Sequence, residues 1–238
     1  GPEHREPHEA EQRRQEARER QQQRDEEQRV DDARKTQAAR GIFQGGVSAK
    51  ESPVSTYLQA RGIKLDAPPS LRYASDLKHG PTGQVLPAMV AAVQDISGHI
   101  TGIHRTFLTS DGRKKALVTD NKMMFGPCAG GAVRLALAKD SLCVGEGIET
   151  MLSIQQETGR PCWAALSTSG LIALVLPERI TSVTICADRD VNGAGENAAQ
   201  VAAERLKGEG REVRIALPPG EFKDFNNVLQ AGASKEMS

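Results

Sequence analysis

The sequence predicts an α/β protein: a mostly parallel sheet with flanking helices over residues 140–238, preceded by a small basic α+β unit over 41–139 and a polar, helical or disordered arm over 1–40. Three observations carry this. From Ser141 onward short apolar runs alternate with helical stretches. Between Leu71 and about Gly131 apolar runs are broken by turn dipeptides, and before Lys35 almost nothing apolar is available to bury.

The arm comes first in the chain. Between His4 and Lys35 the apolar residues are Ala10, Ala17, Val30 and Ala33, among Glu, Arg, Gln and Asp. Good helix formers with opposite charges at three- and four-residue spacing favour a solvated helix over disorder. No a/d seam is present to build a coiled coil. Gly1 and Pro2 read as a cleavage remnant, so a fragment of a longer protein is expected.

In the second unit, Ser52-Pro53 followed by Val54, Tyr57 and Leu58 predicts a short helix capped by Ser52 with Pro53 in its first turn. Pro68 and Pro69 break the chain. The runs Ala88–Val93, Ile100–Ile103 and Thr106–Leu108, separated by Ser97-Gly98 and followed by Asp111-Gly112, predict a small antiparallel sheet.

The last unit alternates strand and helix. Leu142–Val144 reads as a strand that turns at Gly145-Glu146-Gly147 into a helix stopped by Gly159. Cys162–Leu166 reads as a strand before the helix Leu171–Leu176. Val183–Cys186 reads as a strand that exits into Ala187-Asp188-Arg189-Asp190. A helix to Gly208 and the strand Glu212–Ala216 follow. Parallel sheets gather ligands at the carboxyl ends of their strands, so Glu146 and the Asp188/Asp190 pair are expected to meet.

That meeting has a chemistry. Mg²⁺ takes oxygen ligands and holds one or two carboxylates together with waters and substrate phosphates. Asp-x-Asp at a strand exit can direct two carboxylates at one ion, and Asp224, beyond Pro218-Pro219-Gly220, can add another at the same edge. Taken singly, each has a bland reading: Asp-x-Asp caps helices, and Glu146 between glycines is a turn residue. Their order at successive strand ends favours function.

Charge separates the two units. From His99 to Lys139 seven basic residues face two acidic ones, whereas from Asp140 to Ser238 nine basic face fourteen acidic. A basic surface beside an acidic one suits an enzyme that grips a polyanion and holds divalent cations. Cys128, Cys143, Cys162 and Cys186 form no CxxC pair, so neither a zinc ribbon nor a disulfide framework is indicated. Cys143 and Cys186 fall in expected core strands, where a thiol acts as a small hydrophobe. No apolar run reaches the roughly 18 residues of a membrane span, and a reducing cytoplasm is expected.

The motifs Leu142-Cys143-Val144-Gly145-Glu146-Gly147, Ala187-Asp188-Arg189-Asp190 with Gly193 and Gly195, and Lys223-Asp224-Phe225-Asn226 resemble those of the toprim domain, over roughly Ser141 to Ala231. That domain is shared by bacterial-type primases, topoisomerases and some nucleases. The stretch from Gly98 to Leu108, Asp111-Gly112-Arg113-Lys114-Lys115, Lys122-Met123-Met124-Phe125-Gly126 and Tyr57–Ile63 are similar to the subdomain before toprim in primases of phages, plasmids and other mobile elements.

The resemblance implies a DNA primase-like nucleotidyltransferase that synthesises RNA primers on a single-stranded DNA template from ribonucleoside triphosphates, with Mg²⁺ or Mn²⁺. A replicative helicase is among the partners it admits; no membrane partner is expected. It makes Glu146 an acid/base or metal-organising group and Asp188, Asp190 and Asp224 metal ligands. Arg105 and Lys122, and less directly Arg113, Lys114 and Lys115, become phosphate-binding residues, with Arg105 and Lys122 expected to project from one sheet. Two departures reduce the acids: Thr150 stands where main-group primases carry a further acid, beside Glu149, and Asn226 stands where a second late acid is common. The primase zinc module and a Walker-type helicase motif are absent from the sequence. A toprim nuclease, or a nucleic-acid-binding module inactive alone, are the competing readings.

Overall fold

A computed structural model describes the backbone of residues 5–236 and the side chains of 11–232; Gly1 and Pro2 lie outside the described residues. Helix α1 (Arg5–Gly45) opens the chain. Its exposed length is laced by pairs such as Arg29–Glu26 and Lys35–Asp31, the spacing that brings side chains together on one helix face. The helix runs past the expected end of the arm because its last turns have something to bury. Ala39 and Phe43 pack with Val90, Ala92 and Ile103.

The first sheet is antiparallel, in the order β1 (Val47–Ser48), β2 (Leu71–Lys78), β3 (Val85–Gln94), β4 (Ile100–Phe107), β5 (Lys122–Phe125). The runs Ile100–Ile103 and Thr106–Leu108 belong to one strand and its exit, turned from β3 at Ser97-Gly98. Helix α2 (Pro53–Ala60) begins as expected: the Ser52 hydroxyl accepts from Val54 N–H while Ser55 closes the reciprocal bond, satisfying amides that a helix start leaves unpaired.

The second sheet has the order β10-β9-β7-β8-β6. Strands β7 (Ser141–Gly145), β8 (Cys162–Ala164), β9 (Ser182–Cys186) and β10 (Glu212–Ala216) are parallel. An antiparallel edge, β6 (Val133–Arg134), which the sequence did not announce, pairs with β8. Helix α3 (Ile148–Thr158) ends at Gly159 in the left-handed conformation (φ 65°), the residue that closes a helix there at least steric cost. Helices α4 (Thr168–Ala173) and α5 (Ala194–Gly208) cover one face and α6 (Phe225–Glu236) joins α3 on the other.

One apolar cluster joins the two sheets. Tyr57, Leu58, Met89, Ala91 and Val93 of the first unit pack with Cys143, Ile148, Met151 and Leu152 of the second. Each of the larger aliphatic and methionine side chains among them, fully withdrawn from water, contributes about 1.5–3 kcal/mol, so the seam between the units is part of the core. Among the described residues no helix is long and apolar enough to cross a membrane.

Candidate active site

Three strand ends converge because the strands that carry them are parallel. In the register of β7 and β9, Gly145 lies opposite Cys186, so both chains leave the sheet at the same edge, into Glu146 and Asp188. The return from β10 is tied to this edge by Ala187 N–H donating to Ala216 C=O (3.0 Å) and Arg189 N–H donating to Lys223 C=O (2.7 Å). Asp224 therefore arrives beside the other acids and caps α6, accepting from Asn227 N–H at 2.8 Å.

Glycines let the backbones approach. A Cβ on Gly145 would stand 2.6 Å from Met151 Sδ and 2.7 Å from Cys186 C=O; one on Gly195 would stand 2.5 Å from Asp188 C=O and 3.4 Å from Asp190 Oδ2. Gly195→Ala is expected to displace the Asp188-Asp190 turn, costing about 1–3 kcal/mol by overpacking and at least tenfold in any ion-dependent activity. Parallel melting curves and activity assays check both.

Burial and mutual repulsion shape the electrostatics. Burial first, and then the charges of Glu146, Asp224 and Asp190, push the Asp188 carboxyl up to about 7. Burial, followed by Asp190, also raises Glu146. Glu146 Oε1 and Asp188 Oδ1 are buried with no hydrogen-bond partner. Two orphaned carboxylate oxygens in one acidic field are what a hard divalent cation would satisfy. Asp190 lies 3.7 Å from Lys223 Nζ.

Among the described residues no group of three His, Cys, Asp or Glu side chains forms a ready-made metal site. Asp224 spends one oxygen on the α6 amide and Asp190 faces Lys223, whereas Glu146 Oε1 and Asp188 Oδ1 are buried without a partner. That fits an ion of the magnesium kind, which completes its shell with waters and phosphates.

The basic residues divide. Across β4 and β5, Arg105 pairs with Met123 while Lys122 pairs with Thr106, and directly paired residues share a face. Arg105 and Lys122 thus project from one sheet, from its opposite faces. Arg105 lies over Phe107 and Phe125, at 5.9 and 5.6 Å, and donates to Met124 C=O. Its Nε is buried without a partner. Arg113 and Lys114 point to solvent from the turn at Asp111-Gly112.

Lys115 and Lys122 turn inward toward a residue to which sequence reasoning gave no role. Glu149, 4 % exposed, sits in the first turn of α3. It pairs with Lys122 Nζ at 3.0 Å and Lys115 Nζ at 4.0 Å, and accepts from the Tyr57 hydroxyl at 2.6 Å. Burial alone would raise its pKa; the two ammonium groups and the phenol outweigh burial and hold it well below the usual carboxylate range. A charged residue directly between Ile148 and the apolar pair Met151-Leu152 was the available signal.

Comparison with known proteins agrees with this architecture. Residues 33–135 match a family described as a domain of unknown function (DUF7146), and residues 141–235 match the Toprim domain family. A DNA primase domain from Pseudomonas aeruginosa is 17 % identical with a TM-score of 0.53, covering 84 % of this chain and 77 % of its own. The DnaG catalytic core is 15 % identical with a TM-score of 0.56, covering 85 % and 77 %. A DnaG primase catalytic domain bound to single-stranded DNA is 14 % identical with a TM-score of 0.54, covering 87 % and 81 %. At such identities these structures speak to the fold. Residues 141–235 thus match the Toprim domain family, and the chain shares its fold with the DNA primase domains.

Proposed function

We propose that the chain is a DNA primase-like catalytic core that synthesises RNA primers on single-stranded DNA by divalent-metal-dependent nucleotidyl transfer. The observation that carries this reading is the pair of orphaned carboxylate oxygens on Glu146 and Asp188, at adjacent parallel strand ends. They lie on the same helix-capped edge from which Glu149 gathers two lysines.

Glu146 and Asp188 would hold Mg²⁺ or Mn²⁺, with Asp190 and Asp224 completing the negative field. When bound, the ion supplies neutralisation of the polyphosphate and polarisation of the reacting oxygens. The chain's own groups do the rest. Lys115 and Lys122 receive phosphate oxygens at the seam, Arg113 and Lys114 attract the template backbone from an exposed turn, and Gly195 keeps the Asp188-Asp190 turn close to α5.

The basic unit in front of the toprim domain favours polymerisation over cleavage, since it offers a surface for a template and a nucleotide. Incubation with single-stranded DNA, Mn²⁺ or Mg²⁺ and labelled ribonucleotides tests it: template-dependent oligoribonucleotides are expected. Shortened DNA without new RNA would establish a nuclease, and unchanged nucleic acid an inactive binding module.

The division of the basic residues gives a further expected outcome. Each phosphate neutralised on a single strand contributes about 0.7 to the slope of log affinity against log salt. Arg113→Ala with Lys114→Ala is expected to flatten that slope by up to about 1.4, with affinity lost equally across sequences. Arg105→Ala, stacked over two phenyl rings, is expected to leave the slope unchanged and to cost about 1 kcal/mol of stability. Fluorescence-anisotropy titrations over a salt series distinguish the two.

A further inference from the structure

A cavity of about 590 Å³ opens between α3, α6 and the second sheet, and none of Glu146, Asp188, Asp190 and Asp224 lines it. Ile154, Phe225 and Leu229 give it an apolar wall, and on its sheet side stand Cys143 of β7 and Cys186 of β9. The register adds a third thiol. Cys143 pairs directly with Cys162 of β8, and paired side chains share a face. The Cys143 sulfur lies within hydrogen-bonding range of both other thiols. Arg160 brings a cation to the group. Its guanidinium donates to the Thr184 hydroxyl at 3.0 Å, and Thr184 is the partner of Cys143 on β9. Starting two residues before β8, the Arg160 side chain therefore crosses over Cys143 to reach β9, and it too lines the cavity. Its own carbonyl accepts from the Cys162 thiol at 3.4 Å, which keeps that sulfur beside Cys143. Small hydrophobes would fill a core equally well without a cation or a cavity. A thiol beside a cation and open to solvent-sized molecules is the setting in which a nucleophilic thiolate forms. Among the described residues no three such side chains converge as a metal site, so the thiols stand in a row across three strands.

We propose that Cys143 and Cys162 are a peroxide-reactive thiol pair, with Cys143, at the cavity, as the attacking sulfur and Cys162, behind it, as the resolving one. The inference is independent of the nucleotidyl-transfer reading. A hydroperoxide enters the cavity as water does. The Cys143 thiolate attacks it: an S–O bond forms, the O–O bond breaks, and the departing oxygen leaves as water or an alcohol with a proton from solvent. The Cys162 sulfur then attacks the sulfenic sulfur. An S–S bond forms, the S–O bond breaks, and the hydroxyl leaves as water with the proton of Cys162. Two electrons have passed from the thiols to the peroxide. Strand geometry selects the partner. Neighbouring strands lie about 4.8 Å apart, within the roughly 4.4–6.8 Å between Cα atoms that a disulfide spans. Cys186 stands two residues beyond Thr184, which at about 3.3 Å per residue puts it roughly 8 Å from Cys143, too far to bridge. The charges agree with these roles. Hydrogen bonds with Cys162 and then Cys186, together with Arg160, draw the Cys143 thiol below its usual range, whereas the contact with Cys143, followed by burial, raises Cys162. The bond closes Glu146 and the whole of α3 into one loop, so oxidation ties the strand that carries this acid to its neighbour.

Brief exposure of the reduced full chain to hydrogen peroxide, followed by alkylation of the remaining thiols in denaturant and mass spectrometry, tests this. Cleavage at lysine, arginine and glutamate puts the four cysteines on separate peptides, because Glu146 and Glu157 lie between Cys143 and Cys162. The expected product is the Cys143 peptide joined to the Cys162 peptide, lighter than the pair by two hydrogens and separated again by dithiothreitol. Cys128 and Cys186 are expected to be recovered alkylated. Cys128 is the internal comparison, a half-buried thiol outside the cavity that burial raises to about 11. In Cys162→Ser the reaction is expected to stop at the sulfenic acid, trapped on Cys143 by dimedone. In Cys143→Ser no peroxide product is expected at Cys162. The linkage itself is read in the unaltered protein, so a variant that fails to fold leaves the test intact. The absence of a linked peptide, linkage of Cys143 to Cys186, oxidation of Cys128 ahead of Cys143, or linkage that forms only in urea would each overturn the proposal.

Discussion

Asp188→Asn is expected to abolish ion-dependent activity, by about a hundredfold or more, the scale of losing one preorganised electrostatic group, while leaving the protein more stable at pH 8. The stability gain follows from the neighbours. The Asp188 carboxyl, raised to about 7 by burial and by Glu146, Asp224 and Asp190, holds in the fold a proton that the unfolded chain releases near its ordinary 3.8. Its contribution to stability is greatest below pH 4, declines between about 4 and 7, and above 7 has become a standing penalty. The full shift corresponds to about 4 kcal/mol, of which about 1–2 kcal/mol is expected to remain, because the carboxyl is partly open to solvent. For a chain of this size that raises Tm by about 2–8 °C. At pH 4 the gain disappears. Millimolar Mg²⁺ is expected to stabilise the unaltered protein at pH 8, since a ligand that binds the folded state alone raises its stability, and to leave Asp188→Asn unmoved. Scanning calorimetry at the two pH values, with and without the ion, decides it. A variant that melts lower at pH 8 and keeps its activity would sink the acidic-site reading.

The legible parts of this protein are those whose causes are local. Ser52-Pro53 marks a helix start because a hydroxyl at the cap and a fixed φ in the first turn need no partner elsewhere. Gly159 marks a helix end for the same kind of reason. Glu146 and Asp188 could be placed at one edge because strands that alternate with helices run parallel, and parallel strands end together. What the sequence did not show has its cause at a distance. Arg105 and Lys122 each looked like a basic residue on a small sheet, but their faces depend on the pairing register of β4 with β5, and a shift of one residue exchanges the faces. The two-residue edge strand β6 exists through its pairing with β8. The last turns of α1 are helical beyond the arm because Ala39 and Phe43 find Val90 and Ile103.

Cys143, Cys162 and Cys186 show both sides. Cys143 and Cys186, read as small hydrophobes, are buried and free of disulfides, and so is Cys162 beside them. Their adjacency, Cys143 opposite Cys162 on β8 and one strand from Cys186 on β9, follows from the sheet order and could not be read from spacing.

Glu149 is the costliest omission, and Lys122→Ala measures it. The carboxylate is buried, so its charge is tolerable through its partners, of which Lys122 is the nearer cation at 3.0 Å. Removing one member of a buried pair strands the other, at about 3–5 kcal/mol. Here about 2–4 kcal/mol is expected, because Lys115 at 4.0 Å and the Tyr57 hydroxyl remain. The loss depends on the charge of Glu149, and pH therefore exposes it. A carboxyl held below its ordinary value contributes stability that is fully present above about 4.3 and is lost as pH falls toward the folded value. The gap between the unaltered protein and Lys122→Ala is expected to be wide at pH 7 and to narrow progressively below pH 4. Neutralising the stranded group supplies a second check. Lys122→Ala combined with Glu149→Gln is expected to regain at least half of the loss, because the introduced amide can still accept from the Tyr57 hydroxyl, no buried carboxylate is left unpaired, and Lys115, 31 % exposed, keeps access to solvent. Urea denaturation of the unaltered protein and both variants at pH 7 and pH 3 reads both effects. A gap of the same size at both pH values, or no recovery in the double variant, would mean that Lys122 contributes packing alone and that the seam is not held by charge.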